Sequence, residues 1–269
     1  MAVEGARKQR LDQLLVERGL APSRAAAQAL VLAGRVTLEG APGRLLKPGD
    51  QVPADASVRV DQGPRWASRA GAKLEAALDA FGVDPTGLAC LDAGASTGGF
   101  TDVLLSRGAR VVYAIDVGRG QLIDRLRRDP RVVSMERVNL RGLERLPEPV
   151  QLATLDLSFI SLGLVLPAVR RLVAPEGRVI ALVKPQFEAG REAVPRGGVV
   201  RDPQVHATVL ERFAADAEAA GFGVRAVMRS PLEGSDGNVE FLALLAAPPG
   251  MDATARRQRI GEITRAATV

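Results

Sequence analysis

The chain has 269 residues, of which 46% are hydrophobic, 25% charged and 3% aromatic; this is the make-up of a globular protein, either one large domain or a main domain with a small companion. Its one cysteine, Cys90, excludes an internal disulfide framework and fits a reducing compartment. No apolar run approaches the roughly 18 residues of a membrane span, and the N-terminus lacks the apolar core of a signal peptide, so a cytoplasmic protein is expected.

The net charge of +5 is localised. Residues 1–73 carry twelve Lys and Arg against seven Asp and Glu, an excess of five, whereas residues 74–269 carry twenty-four of each. A basic start on a neutral body suggests that one part holds a polyanion and the other acts on it.

In "RLDQLLVERGL", Leu11, Leu14 and Leu15 recur at helical spacing before a stop at Gly19. In "SRAAAQALVLAG", Ser23 is the expected cap and Gly34 the end. "RVTLEG" and the run ending at Val60 alternate as short strands. This stretch, with Arg10, Ser23–Arg24, "AGRV" and "LKPGD", resembles the S4 RNA-binding domain over about 55 residues and sets Arg10, Arg24 and Lys47 as phosphate-contacting residues for structured RNA. An α+β domain is expected over 1–60, followed by a linker over 61–72, "DQGPRWASRAGA", which carries Arg65, Arg69 and Trp66 as a packing anchor.

From residue 88 onward, β-rich runs alternate with helical ones. "LACLDA", "ARVVYAID", "RVVSM", "VQLATLD", "RVIALVK", "GVRAVMR" and "VEFLALL" read as strands; "TDVLLSRG" and "PQVHATVLERFAADAEAAG" read as helices, the latter capped by Asp202, and a peripheral helix or tail follows Pro248. The alternation predicts an α/β doubly wound, Rossmann-like parallel sheet. His206, the single histidine, is expected to be structural, and no metal cluster is visible.

Ligands of such sheets bind beyond the carboxyl ends of the strands. There the sequence has "LDAGASTGGF", Leu91–Phe100, whose spacing does not fit the G-x-G-x-x-G loop of a dinucleotide site. Its glycines are read as letting a ligand approach the backbone. Asp92 would repel a pyrophosphate but suits the ammonium and sulfonium of S-adenosylmethionine. Asp116, ending "VVYAID", suits a ribose diol, a feature shared by both cofactor classes.

Only four lysines stand against thirty-two arginines: Lys8, Lys47, Lys73 and Lys184. A retained lysine suggests a cation able to lose its proton, which guanidinium cannot do. Lys184 and Asp156 each end a strand at the carboxyl edge, Lys73 begins the helix before the glycine-loop strand, and Glu240 enters the last strand.

These segments, with "SRAGAKL", "DVGRGQL", "DLSFISL", "LVKPQFE", "GGVVRDP" and "EGSDGNVEF", resemble the TlyA, or hemolysin A, family of ribosomal RNA 2'-O-methyltransferases over nearly the whole chain. The resemblance implies an S-adenosylmethionine-dependent enzyme methylating the cytidine 2'-hydroxyl in 16S and 23S ribosomal RNA, with a class I methyltransferase body over 73–269 similar to the FtsJ type. Its catalytic tetrad falls on Lys73, Asp156, Lys184 and Glu240. The expected cofactor contacts are Asp92, Gly94, Ala95, Ser96, Gly98, Gly99, Phe100, Asp116, Val117, Asn139 and Asp156. Arg137 is expected at a phosphate and Phe159 under a swung-out target base. The tetrad argues against the alternative, an inactive ribosome-associated RNA-binding protein; a membrane-lytic role and an NAD-dependent oxidoreductase rank lower. The expected partner is ribosomal RNA or a ribosomal subunit, with no membrane and no metal, and the protein is expected to be a monomer. One departure bears on the target nucleotide: Asp236 stands in "SDGN" where a neutral residue is common.

Overall fold

A computed structural model describes residues 7–39, 45–61 and 65–265. Gly40, which closes the expected strand "RVTLEG", and residues 62–64 of the expected linker lie outside the described residues. The chain divides into two compact units, Met1–Arg65 and Trp66–Val269.

In the first unit, β1 (Lys8–Arg10) leads directly into α1 (Leu11–Glu17), α2 (Arg24–Leu32) follows, and β2 (Val36–Leu38), β3 (Gln51–Pro53) and β4 (Val58–Val60) complete it. β1 pairs antiparallel with β3, and β2 with β4. Ser23 caps α2 by accepting from the Ala26 amide at 3.2 Å, and Gly19 and Gly34 take left-handed φ of 68° and 69° after the two helices. Leu11, Leu14, Leu15, Ala27, Val31, Val36 and Val52 form its core.

The second unit contains α3 (Ala70–Phe81), β5 (Ala89–Ala93), α4 (Gly99–Ser106), β6 (Val111–Asp116), α5 (Asp124–Arg127), β7 (Val132–Glu136), β8 (Val150–Leu155), α6 (Leu166–Leu172), β9 (Val173–Val183), α7 (Pro185–Glu188), α8 (Pro203–Ala219), β10 (Gly223–Arg229), β11 (Phe241–Ala246) and α9 (Ala253–Arg265). The sheet order is β10-β11-β9-β8-β5-β6-β7. Strands β9, β8, β5, β6 and β7 are parallel, whereas β11 is antiparallel to both β9 and β10.

The doubly wound, mainly parallel sheet is the one the alternation predicts; β11 alone runs against the other strands, because β10 and β11 follow one another without a crossover helix and a direct return reverses the chain. The doubly wound character is visible in the period of two. Leu91, Ile115, Val179, Ala181 and Phe241 face α6, α8 and α9, while Cys90, Val112, Ile180, Leu182 and Leu242 face α3, α4 and α5. Both faces are dry, so these strands read as continuous apolar runs. Each buried Leu, Ile or Phe on them contributes about 1.5–3 kcal/mol.

The linker expected over 61–72 is corrected, since its second half belongs to the body. Trp66 is buried in the α3–α4 cluster, its indole N–H donates to Glu75 at 3.3 Å, and a side chain at Gly71 would overlap its ring. Cys90 is buried, and burial pushes its thiol up to about 12. His206 is fully buried on α8, bonded through Nε2 to the Val200 carbonyl at 2.9 Å. Among the described residues no helix is long and apolar enough to cross a membrane.

Candidate active site

The reversal of β11 decides where the site forms. A strand running against its neighbours starts where they end, so Glu240, just before β11, lies at the carboxyl edge of β9. The register Phe241↔Val183 sets Glu240 across from Lys184, which follows β9. Lys73, in the first turn of α3, forms a buried ion pair with Glu240, their side chains 9% and 3% exposed. Lys184 pairs with Asp156 at 2.7 Å and donates to the Ser158 hydroxyl at 3.0 Å. Asp156 follows β8, anchored by its amide to the Ala93 carbonyl at 3.0 Å. The four expected catalytic residues thus form two adjacent pairs, each lysine with its own carboxylate.

Lys184 and Glu240 open onto a cleft of about 540 Å³ lined also by Ser158, Phe159, Phe187 and Asp236. Phe159 is 90% exposed at a left-handed φ of 63°, and its ring lies 5.0 Å from that of Phe187. Glu188, buried at the base of α7, accepts from the Ser161 hydroxyl at 2.7 Å and the Leu162 amide at 2.8 Å, tying the Phe159 loop to α7. Burial raises the Glu188 carboxyl above its ordinary range.

On the cofactor side, Asp116 ends β6 and accepts from the Ser96 amide at 2.8 Å and the Gly118 amide at 2.7 Å. Amides from two loops thus fix its carboxylate, and its remaining lone pairs are available to a diol. The Arg137 amide donates to the Gly118 carbonyl and the Val138 amide to the Asp116 carbonyl. These bonds hold exposed Val117 and Asn139 on adjoining loops. Asn139 uses its side chain to accept from the Arg141 amide at 3.1 Å. Arg137 is exposed and left-handed, at φ 58°.

Three expectations change in this region. Asp92 does not present its charge at the strand tip: it is fully buried, and the Thr101 and Thr154 hydroxyls donate to it at 2.6 and 3.3 Å. Burial, with the nearby Asp156 adding to it, pushes its carboxyl up to about 7. Phe100 is a core side chain of α4, 2% exposed, and offers a ligand at most its backbone.

The glycines of the loop also answer to the protein itself. A side chain at Gly94 would overlap the Asp156 carbonyl, at Gly98 the Leu122 and Leu126 side chains, and at Gly99 the Ser68 hydroxyl. Ala95 is buried, and Ser96 takes φ 47° at the exposed turn. Gln121, Ser134 and Glu136 line a small cleft with Ser96 and Asp116, and Glu136 accepts from the Gly120 amide at 2.8 Å. Sequence reasoning missed these three, although Glu136 carries the same signal as Asp116, an acid closing a strand.

The profile of the FtsJ-like methyltransferase family matches residues 66–247, about two thirds of the chain. The chain belongs to that family. A second profile, the S4 domain, matches residues 9–52. The FtsJ-like chain is similar to the 16S/23S rRNA (cytidine-2'-O)-methyltransferase TlyA of Mycobacterium tuberculosis, 48% identical over 244 residues, covering 89% of this chain and 90% of the relative. It is also similar to hemolysin A of Brachyspira hyodysenteriae, 38% identical over 87% of this chain and 98% of the relative. A solved Streptococcus thermophilus chain described as a candidate hemolysin superposes with a TM-score of 0.73 at 41% identity, covering 98% of this chain and 96% of that one.

The enzyme is an S-adenosylmethionine-dependent methyltransferase. Its donor set fits that group at Asp116, whose carboxylate offers acceptors suited to a ribose diol.

In the S4 unit, Arg10, Arg24 and Lys47 behave differently from one another. Lys47 is exposed. Arg10 holds the fully buried Asp12 through two bonds of 3.0 and 2.9 Å, and Arg24 and Gln28 each donate to the same carboxylate at 3.0 Å. A buried acid thus orients both arginines, whose side chains stay 37% and 53% exposed. Arg65 and Arg69 are exposed on either side of the boundary between the two units.

Proposed function

We propose that the protein transfers a methyl group from S-adenosylmethionine to the 2'-hydroxyl of a cytidine in 16S or 23S ribosomal RNA, or in both. The observation that carries this reading is the pair of lysine–carboxylate contacts, Lys73–Glu240 and Asp156–Lys184, set at the mouth of an aromatic-lined cleft. The curated names of relatives support the substrate, and the S4 domain supports RNA as its class.

S-adenosylmethionine, when bound, supplies an electrophilic methyl that must lie in line with the attacking oxygen. Lys184 is the group that takes the proton of the ribose hydroxyl, as the neutral amine left when its ammonium passes its own proton to Asp156. Asp156 and Ser158 fix its ammonium at 2.7 and 3.0 Å, so its reach toward the cleft is set before the substrate arrives. Lys73 and Glu240 position the wall across from it. Phe159 offers a face on which a swung-out base stacks, and Arg137 a cation for a neighbouring phosphate. Asp116, Ser96, Gly98, Val117 and Asn139 surround the expected nucleoside end of the cofactor. Arg10, Arg24, Lys47, Arg65 and Arg69 engage the RNA backbone, whose charge dominates affinity.

The test is Lys184→Ala assayed with tritiated S-adenosylmethionine on unmodified ribosomal subunits. Methyl transfer is expected to fall to background while calorimetry still detects cofactor binding; near-normal transfer would remove Lys184 from the proton-handling role. Mapping of the modified nucleotide with the wild-type protein identifies the cytidine and the subunit.

A further inference from the structure

One acceptor in the cleft has no donor. Gln186, on α7 between Lys184 and Phe187, lines the cleft, and its Oε1 is buried without a hydrogen-bond partner. A buried acceptor left in this state is disfavoured, and such groups in native proteins usually await a ligand or water. Asp236, exposed on the loop before β11, lines the same cleft. Lys184, the one cation in the lining among the described residues, is already engaged by Asp156 and Ser158. The cleft that holds the exposed Phe159 ring is thus lined as well by the acceptors of Gln186 and Asp236.

We infer that Gln186 and Asp236 select the target base by its exocyclic amino group. This rests on the methyl-transfer reading above and extends it to base identity. Cytosine presents the N4 amino as a donor, which carboxylates and amide oxygens accept; uracil presents O4 there, an acceptor facing acceptors. The two residues differ in strictness. An amide can turn its nitrogen toward O4, whereas a carboxylate only accepts, so Asp236 sets the discrimination and Gln186 supplies the second contact. Adenine also carries an amino group, so the pair excludes uracil rather than purines.

The experiment compares wild type, Asp236→Asn and Gln186→Met on ribosomal subunits bearing either C or U at the mapped target position, with cofactor affinity measured by calorimetry in parallel. The wild type is expected to prefer C, and each variant to lose about tenfold of that preference, the order of one good base contact, with cofactor affinity unchanged. For Asp236→Asn the loss includes a gain on the U substrate. An unchanged C-to-U ratio in both variants, with any loss of rate shared equally between substrates, overturns the inference, as does a wild type indifferent to C and U. A wild type that modifies no ribosomal RNA at all instead removes the methyl-transfer reading, a result readily told apart from these.

Discussion

Substituting Glu240 by Ala leaves the Lys73 ammonium, 9% exposed at the start of α3, inside the protein without its counter-charge. Breaking one side of a buried pair costs about 3–5 kcal/mol, because the surviving charge has lost its water and gained nothing in return. The body that carries the pair runs from Trp66 to Val269, and for a domain of that size 1 kcal/mol moves Tm by about 2–4 °C. The expected fall is thus roughly 6–20 °C.

The double substitution Lys73→Met with Glu240→Leu separates stability from chemistry. Well-packed apolar replacements of a buried pair are often neutral, so thermal unfolding should return close to wild type while methyl transfer stays lost. Calorimetric scans and a tritium-transfer assay on the three proteins read both quantities. A Glu240→Ala protein within about 1 kcal/mol of wild type, or a double variant no more stable than the single one, would refute the placement of these two charges in a dry site.

Asp12 and Asp92 predict opposite pH behaviour. Arg10, with Gln28 and Arg24, holds the Asp12 carboxyl well below the usual range; its contribution is present above the ordinary carboxylate value and is lost as pH falls through the depressed one. Asp12→Asn should therefore destabilise the S4 unit most at neutral pH, with the deficit shrinking in acid, as denaturant titrations at pH 7 and below pH 3 would show. It should also weaken RNA binding, since Arg10 and Arg24 lose their guide. The Asp92 carboxyl, raised to about 7 by burial, favours folding fully below the ordinary carboxylate value, and that contribution is lost as pH rises toward 7. Asp92→Asn in cofactor-free protein should gain stability relative to wild type as pH rises from 5 to 8, read as a widening Tm difference; a constant difference would contradict burial of the charge.

Much of the sheet was legible in the sequence because both its faces are covered: runs such as "RVIALVK" must be apolar throughout when Val179 and Ile180 point into different cores. Strand direction was not legible, since the side-chain pattern of β11 is the same whichever way it runs; only the lack of a helix between β10 and β11 hints at the return. The charged residues that pair at the strand tips could be located for the same geometric reason that makes tips useful, and Lys73 followed because lysine is rare in this chain. Trp66–Ala72 was misassigned because Gly and Pro nearby signal a connector, while the contact that claims the segment, Gly71 under the indole, is non-local. Asp12 escaped notice because an acid in the first turn of a helix looks like a surface residue until Arg10, Arg24 and Gln28 are seen to converge on it. Asp92 was located correctly along the chain but not in depth: spacing gives the strand end, and only packing shows that Thr101 and Thr154 cover it.

The late position of β11 along the chain also sets an order on the ribosome that makes the protein. Strands β5, β6 and β7, the last of them at one edge of the sheet, carry Asp92, Asp116 and the loops around them and are complete by residue 136, whereas the partner of Lys73 is not translated until residue 240. For the intervening stretch of synthesis, Lys73 lacks the carboxylate it pairs with in the finished fold. The last hairpin of the body then closes the sheet and neutralises that lysine in one event, so the Lys73–Glu240 pair is complete only with the end of folding, after the strands that carry Asp92 and Asp116 have been made.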